Sequence, residues 1–205
     1  MNTPFLFKPE PIRLPQLLFV HTRSVGPGPN NDNTNPQKRL QQISWSIADD
    51  YGKTWSVCNH YLGDDNSGIP KRNDALAYYL QSPIEDNGQL ATVLFALYLD
   101  LYRADMIIAH NLEYHLQAIT REVTRLSLII PSSFMPDNIQ YVDLRVASAE
   151  FCNLDGKSSS PKYPTLAELY KCCVDKEYVS ENDTLKDLEV SKSCYYFLKR
   201  KGCIR

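Results

Sequence analysis

The sequence predicts an α/β domain built on a five-stranded mixed sheet, a three-stranded antiparallel meander plus two parallel strands, flanked by helices. Three observations predict it. Leu17–Val20 is an unbroken apolar run, too short for a helix, as expected of a central strand covered on both faces. Arg39–Ala48 and Thr54–Leu62 are rich in β-branched and aromatic residues and flank Asp49-Asp50-Tyr51-Gly52, a hairpin turn. From Gln89 the period changes, and Leu90, Val93, Leu94, Leu97, Tyr98 and Leu101 share one face of an amphipathic helix.

The elements follow in order. Residues 1–14 carry Pro4, Pro9 and Pro11 and form an extended lead-in, ahead of a single domain over residues 15–205. The first strand covers residues 16–22. Val25–Gln37, rich in Gly, Pro and Asn, is a surface loop, and the second and third strands complete the meander. Residues 63–87 are polar and irregular, apart from a short helical piece near Ala75–Leu80. After the Gln89 helix, Ala104–Ala109 is a short apolar strand, and a helix opens at His110 and Asn111, with Asn111 as its N-cap, and runs to Ser127. Ile139–Val142 is the fifth strand, ending at Asp143, and Leu144–Phe151 a helix. Thr165–Cys173 is a short helix whose Thr165 and Glu168 make a capping box. The last helix spans Asn182–Lys201, with Gly202 as its terminator.

Composition narrows the function classes. At 205 residues the chain can bury one sizeable core, and a formal charge of −2 carries no global signature of a nucleic-acid or membrane partner. No apolar run is long enough to span a bilayer, and MNTPFLFKPEPIRLP lacks the segments of a signal peptide, so a cytoplasmic location is expected. The six cysteines include no C-x-x-C pair and one adjacent pair, Cys172–Cys173, so reduced thiols packed as small hydrophobes are expected.

Open α/β sheets place ligands at the carboxyl ends of their strands. Here the rim residues are His21, Thr22, Arg23 and Ser24, and His21 and Arg23, two apart, point to one side.

Three stretches, in order, carry a family resemblance: LLFVHTRSVGPG followed by RLQQISWSIADDYGK, then MIIAHNLEYH, then PTLAELYKCC…ENDTLKDLEVSKSCYYFLKRKG. Together they resemble the DnaQ-like (DEDDh) 3′–5′ exonucleases of the ribonuclease H-like fold, over most of residues 15–202. The family's chemistry does not carry over. Where its first motif is D-x-E, this chain has His21-Thr22-Arg23. Its second motif, A-H-N-x-x-F-D, is matched with Tyr114 for the Phe and His115 for the Asp, and its third, His with Asp five residues on, by Asn182 and Asp187. The family uses two magnesium or manganese ions about 3.5–4 Å apart, held by four carboxylates. The corresponding set here, Arg23 and Asp187 with neutral His21, His115 and Asn182, sums to zero charge. Asn182 cannot take a proton from water at neutral pH. The resemblance therefore implies a degenerate site with no metal cofactor and no two-metal nuclease activity.

Alternatives stay open at several residues. His21, His115 and Asp187 are either a rebuilt metal site or hydrogen-bonded residues of a relic cleft. Arg23 either grips a phosphate or pairs with Asp187. Thr22, Asn111 and Tyr114 join Arg23 as candidate nucleic-acid contacts, and Glu113 and Asp143 read as structural acids. Tyr78-Tyr79 either stack on bases or pack internally, and the basic end of the last helix complements its dipole or touches nucleic acid. Three functions follow: a non-catalytic module for single-stranded nucleic acid, a regulatory scaffold that pairs with a protein partner or with itself, or a nuclease with a metal site rebuilt from His21, His115 and Asp187.

Overall fold

The strand run that organises the sequence becomes the centre of a sheet with strand order β4-β3-β2-β1-β5-β6. This is a computed structural model, and it describes residues 14–25, 39–62, 81–84, 87–128, 139–154 and 162–204. In chain order the elements are β1 (Gln16–Val25), β2 (Arg39–Asp49), β3 (Thr54–Leu62), β4 (Gln81–Ile84), α1 (Asn87–Arg103), β5 (Met106–Ala109), α2 (Leu112–Arg125), β6 (Gln140–Asp143), α3 (Leu144–Ala147), α4 (Ala149–Cys152), α5 (Leu166–Val174) and α6 (Thr184–Arg200). The five expected strands are all present. β1, β2 and β3 form the antiparallel meander, and β5 and β6 add in parallel on the far side of β1.

The short β4 differs from the irregular connection expected there, and pairs in parallel with β3. Its Pro83 has no N–H to give, which suits a strand at the sheet margin. The lead-in, the Pro- and Asn-rich loop after β1, the piece near Ala75–Leu80 and Tyr78-Tyr79 lie outside the described residues.

The two-residue period of β1 divides the core. Leu18 and Val20 pack with Ile43 and Trp45 of β2 beneath α1 and α2, where Leu94, Leu97, Leu101 and Ile119 are fully buried. Leu17 and Phe19 face the other way, onto Leu169 of α5 and Leu188, Cys194, Tyr195 and Leu198 of α6. Each such side chain contributes about 1.5–3 kcal/mol on leaving water. Beyond Val20 the alternation continues, so residue 21 is directed toward α6 and residue 22 toward α2.

Helix ends follow local chemistry with two departures. Thr165 and Glu168 close the capping box of α5. Gly202, at φ 76°, ends α6 in a Schellman motif: its N–H donates to Lys199 and that of Cys203 to Leu198. Asn111 does precede α2, but in the left-handed region with no side-chain capping bond. The cap comes from Asp143 instead, whose carboxylate accepts from the N–H groups of Asn111 (3.0 Å) and Leu112 (3.1 Å), and from Arg145 of α3 (2.9 Å). The expected helix over Leu144–Phe151 is two short ones joined at Ser148, whose hydroxyl donates to the Leu144 carbonyl.

Candidate functional site

At the carboxyl end of β1 the strand's alternation hands its residues to different helices. His21 and Arg23 face the start of α6 and the segment before it, whereas Thr22 turns under α2. Nε2 of His21 lies 3.3 Å from Oδ2 of Asp187. The same carboxylate accepts from Tyr178 Oη at 2.6 Å and Ser180 Oγ at 3.1 Å. Burial opposes ionisation of Asp187, yet the hydrogen bonds from His21, Tyr178 and Ser180 hold its carboxyl below the usual range. Burial first, and the same hydrogen bond second, raise the Tyr178 phenol well above its ordinary value.

His115 is 2% exposed, and both its ring nitrogens are engaged. Nδ1 accepts from the Thr22 N–H at 3.0 Å and lies 2.9 Å from the Thr22 hydroxyl. An Nδ1 that accepts a main-chain N–H carries no proton, so Nε2 is the protonated nitrogen and donates to the His110 carbonyl at 3.1 Å. Burial first, and the neighbouring His21 second, push the His115 ring well below the ordinary histidine value. The two rings are tilted against each other, with centroids 4.4 Å apart. Tyr114 meets His115 edge-on, at 5.3 Å between centroids.

Arg23 does not pair with Asp187. Its Nη1 donates to the main-chain oxygen of Asn182 at 3.0 Å, and the partner of Asp187 is His21. Asn182 is an exposed residue at φ 59°, so it serves Arg23 through its backbone. The structure thus brings together His21, Thr22, Tyr114, His115 and Asp187, with Arg23 at the margin. Thr22 is 2% exposed with its hydroxyl engaged, so it is turned away from any ligand in the cleft. Asn111 belongs to the Asp143 cap, and Glu113, accepting from Gln117, is a helix-face acid.

Sequence reasoning missed Tyr178 and Ser180. The signal was present, since both fall in the polar stretch just ahead of α6, but spacing from Asp187 says nothing of a loop's path. It also missed the pin beneath the site, where Gln42 and Ser44 of β2 and Asn59 of β3 share hydrogen bonds and the Ser44 hydroxyl meets that of Thr184 at the start of α6. That network sets where α6 begins relative to the sheet, and hence where Asp187 sits.

No family model matches the sequence, and no curated protein matches it. Solved structures do. The nuclease domain of 3′hExo, a DEDDh family member, bound to rAMP, is similar at a TM-score of 0.58 and 9% identity, over 93% of this chain and 94% of that one. A structure of 3′-end specific recognition of histone mRNA stem-loop by 3′-exonuclease is similar at 0.58 and 10% identity, over 93% of this chain and 65% of that one. A full-length 3′-exonuclease gives 0.57 and 9%, with 93% and 62% covered. At such identities the likeness is one of fold: the chain has the DnaQ-like exonuclease fold.

Proposed function

We propose that this chain is a pseudo-exonuclease: it keeps the exonuclease-like fold without two-metal hydrolysis and uses the old cleft to hold single-stranded nucleic acid. The observation that carries the reading is the state of Asp187. It is the sole carboxylate of the cluster, and both its oxygens are taken by Tyr178, Ser180 and His21. Magnesium needs several hard oxygen donors, and this donor set does not fit a pair of such ions.

The alternative of a rebuilt His21, His115 and Asp187 site is disfavoured by the same geometry. The lone pair of His115 Nδ1 is spent on the Thr22 N–H, and its Nε2 carries the proton. Among the described residues, no three His, Cys, Asp or Glu side chains are placed to hold one ion.

Arg23 supports the binding half of the reading. Its guanidinium has a neutral carbonyl as partner and no ion pair among the described residues, so a phosphate offers it a stronger, charge-assisted bond. Two of the similar structures bear on RNA by their own descriptions, one bound to rAMP and one to a histone mRNA stem-loop. A second reading, a scaffold that binds protein, is favoured by the inward turn of Thr22 and by the negative net charge.

The test joins a degradation assay on 3′-labelled single-stranded RNA and DNA, in magnesium or manganese, to a mobility shift with the same oligonucleotides. The expected result is no cleavage, with binding that weakens as salt rises and drops about tenfold in Arg23→Ala, the loss of one charged phosphate contact. Cleavage that disappears in Asp187→Ala overturns the pseudoenzyme. Absence of binding at low salt overturns the nucleic-acid role and leaves the scaffold.

A further inference from the structure

α1 carries apolar side chains on two opposite faces. Leu90, Leu94, Leu97 and Leu101 lie in the core. On the outer side Gly88, Thr92, Phe95, Leu99 and Tyr102 are all exposed. Their alternating four- and three-residue spacing sets them in one straight seam along the helix, the pattern by which helices pair. Phe95 is 54% exposed, Leu99 39% and Tyr102 70%, so large apolar groups on successive turns stand open to water. Half-buried Tyr98 stands between Phe95 and Tyr102, its ring centroid 6.4 Å from each of theirs. The Thr92 hydroxyl donates to the Gly88 carbonyl at 3.0 Å, so the polar atom of the seam is already satisfied within the helix.

Charge and side-chain size select the occupant. From Asn87 to Leu99 the helix carries no charged side chain, and the next, Asp100, is turned to the Trp45 indole N–H at 2.8 Å. Nothing on the seam up to Leu99 therefore repels a second copy of the chain. The seam is also graded in size. Gly88 and Thr92 make its first half small, Leu99 and Tyr102 make its second half large, and Phe95 is the midpoint of Asn87–Arg103. Two copies lying antiparallel about Phe95 set the large half of each on the small half of the other, with Leu99 over Thr92 and Tyr102 over Gly88. A parallel pair sets Tyr102 on Tyr102 and leaves a gap at Gly88. The antiparallel pair is the two-fold, self-complementary contact of an ordinary homodimer. It also carries Arg103 of each copy to the start of the other's α1, which Glu85 and Asp86 precede in the sequence, so the ends are complementary in charge.

We infer that the outer face of α1 is where two copies of this chain associate, antiparallel about Phe95. Three large side chains from each copy make a contact smaller than the about 800 Å² per partner of a standard interface, so the dimer is reversible and concentration-dependent. The inference goes beyond the cleft reading and does not depend on it.

The experiment is sedimentation velocity on the full chain over a concentration series from about 1 to about 500 µM, the range in which a contact of this size forms. The expected result is a reversible monomer–dimer equilibrium. Leu99→Glu and Thr92→Lys should each weaken association about tenfold or more, because each buries a charge against an apolar partner. Both positions are exposed, so the urea midpoints of the variants should stay near that of the unaltered chain. Mixed in equal amounts, the two variants should regain a dimer. The antiparallel register sets the introduced carboxylate of one against the introduced ammonium of the other, and leaves the second Leu99–Thr92 contact intact. Should a variant fold poorly, amide exchange of the unaltered chain gives a second readout, slower over residues 88–102 at high concentration than at low. A monomer throughout the series overturns the inference, in favour of a different protein on the seam. A dimer that both substitutions leave unchanged, or one without slowed exchange at 88–102, overturns it by placing the contact elsewhere. A mixture of the two variants that stays monomeric overturns the antiparallel arrangement.

Discussion

His115 ties the end of β1 to the start of α2 through one buried ring. Its ring lies buried between Thr22 and the His110 carbonyl, where Nε2 donates and the acceptor role of Nδ1 requires the neutral form. The folded ring resists protonation, because burial and His21 both push it down. An unfolded histidine binds its proton near pH 6.5, so below that value the unfolded chain holds more protons than the folded one. Stability therefore falls as pH drops below about 6.5, and His110, also lowered chiefly by burial, adds in the same direction. Asp187 acts lower on the scale: its lowered carboxyl stabilises above the ordinary carboxylate range, and that contribution is lost as pH falls through its folded value. Urea titrations across this range check the point. In His115→Phe the slope below about pH 6.5 should shrink, while at neutral pH the unpaired Thr22 N–H should cost about 1–3 kcal/mol. A slope identical to that of the unaltered chain would contradict the assignment of a neutral His115.

Among the elements, the junction of β6, α2 and α3 depends on one carboxylate. Asp143 satisfies three main-chain N–H groups at the starts of two helices, whereas Thr165 satisfies one at the start of α5. Thr165→Ala should cost about 1 kcal/mol, as for an ordinary N-cap. Asp143→Ala should cost more, about 2–3 kcal/mol, because half-buried donors on two elements lose their acceptor together. Denaturant midpoints of the two variants, with unchanged m-values, decide it, and equal losses would show that water replaces the Asp143 carboxylate. Gly202 offers a simpler case. At φ 76° with nothing within 4 Å of an added Cβ, Gly202→Ala meets backbone strain alone, about 1 kcal/mol.

For the molecule as a whole, two apolar layers clamp one sheet, and the α5–α6 layer is where sulfur concentrates. Cys173 and Cys194 are buried in it, Cys152 packs against it, and Cys203 is exposed. Burial pushes the Cys58 thiol up to about 11 and the Cys152 thiol up to about 12, so neither offers thiolate at neutral pH. Timed alkylation with mass mapping should label Cys203 first, and Cys173 and Cys194 only on unfolding. Early labelling of Cys194 would show that α6 opens independently of the sheet. Truncating the centre of that layer, Leu188→Ala, should lower stability by about 2–5 kcal/mol, read from the thermal or urea midpoint.

Apolar pattern, composition and turn chemistry determined most of the elements that build this protein. The run at Leu17–Val20 encodes a strand covered on both faces, the β-branched and aromatic content of β2 and β3 encodes the meander, and the three-four spacing of α1 encodes one face toward the core, where Leu90, Leu94, Leu97 and Leu101 are buried. Residue identity also determined which groups His21, Arg23, His115 and Asp187 bring to this rim, since no fold can supply a functional group the sequence lacks. The alternation of β1 extended this to direction, sending His21 and Arg23 to one side. Partner choice was different. Whether Asp187 would meet Arg23 or His21, whether Asn111 or Asp143 would cap α2, and that Tyr178 and Ser180 would close on the site were decided only in three dimensions. Arg23 and Asn182 are 159 residues apart, and Thr22 and His115 are 93 apart. A hydrogen bond is gained or lost over less than an ångström, and spacing along the chain resolves no such distance across a packed core.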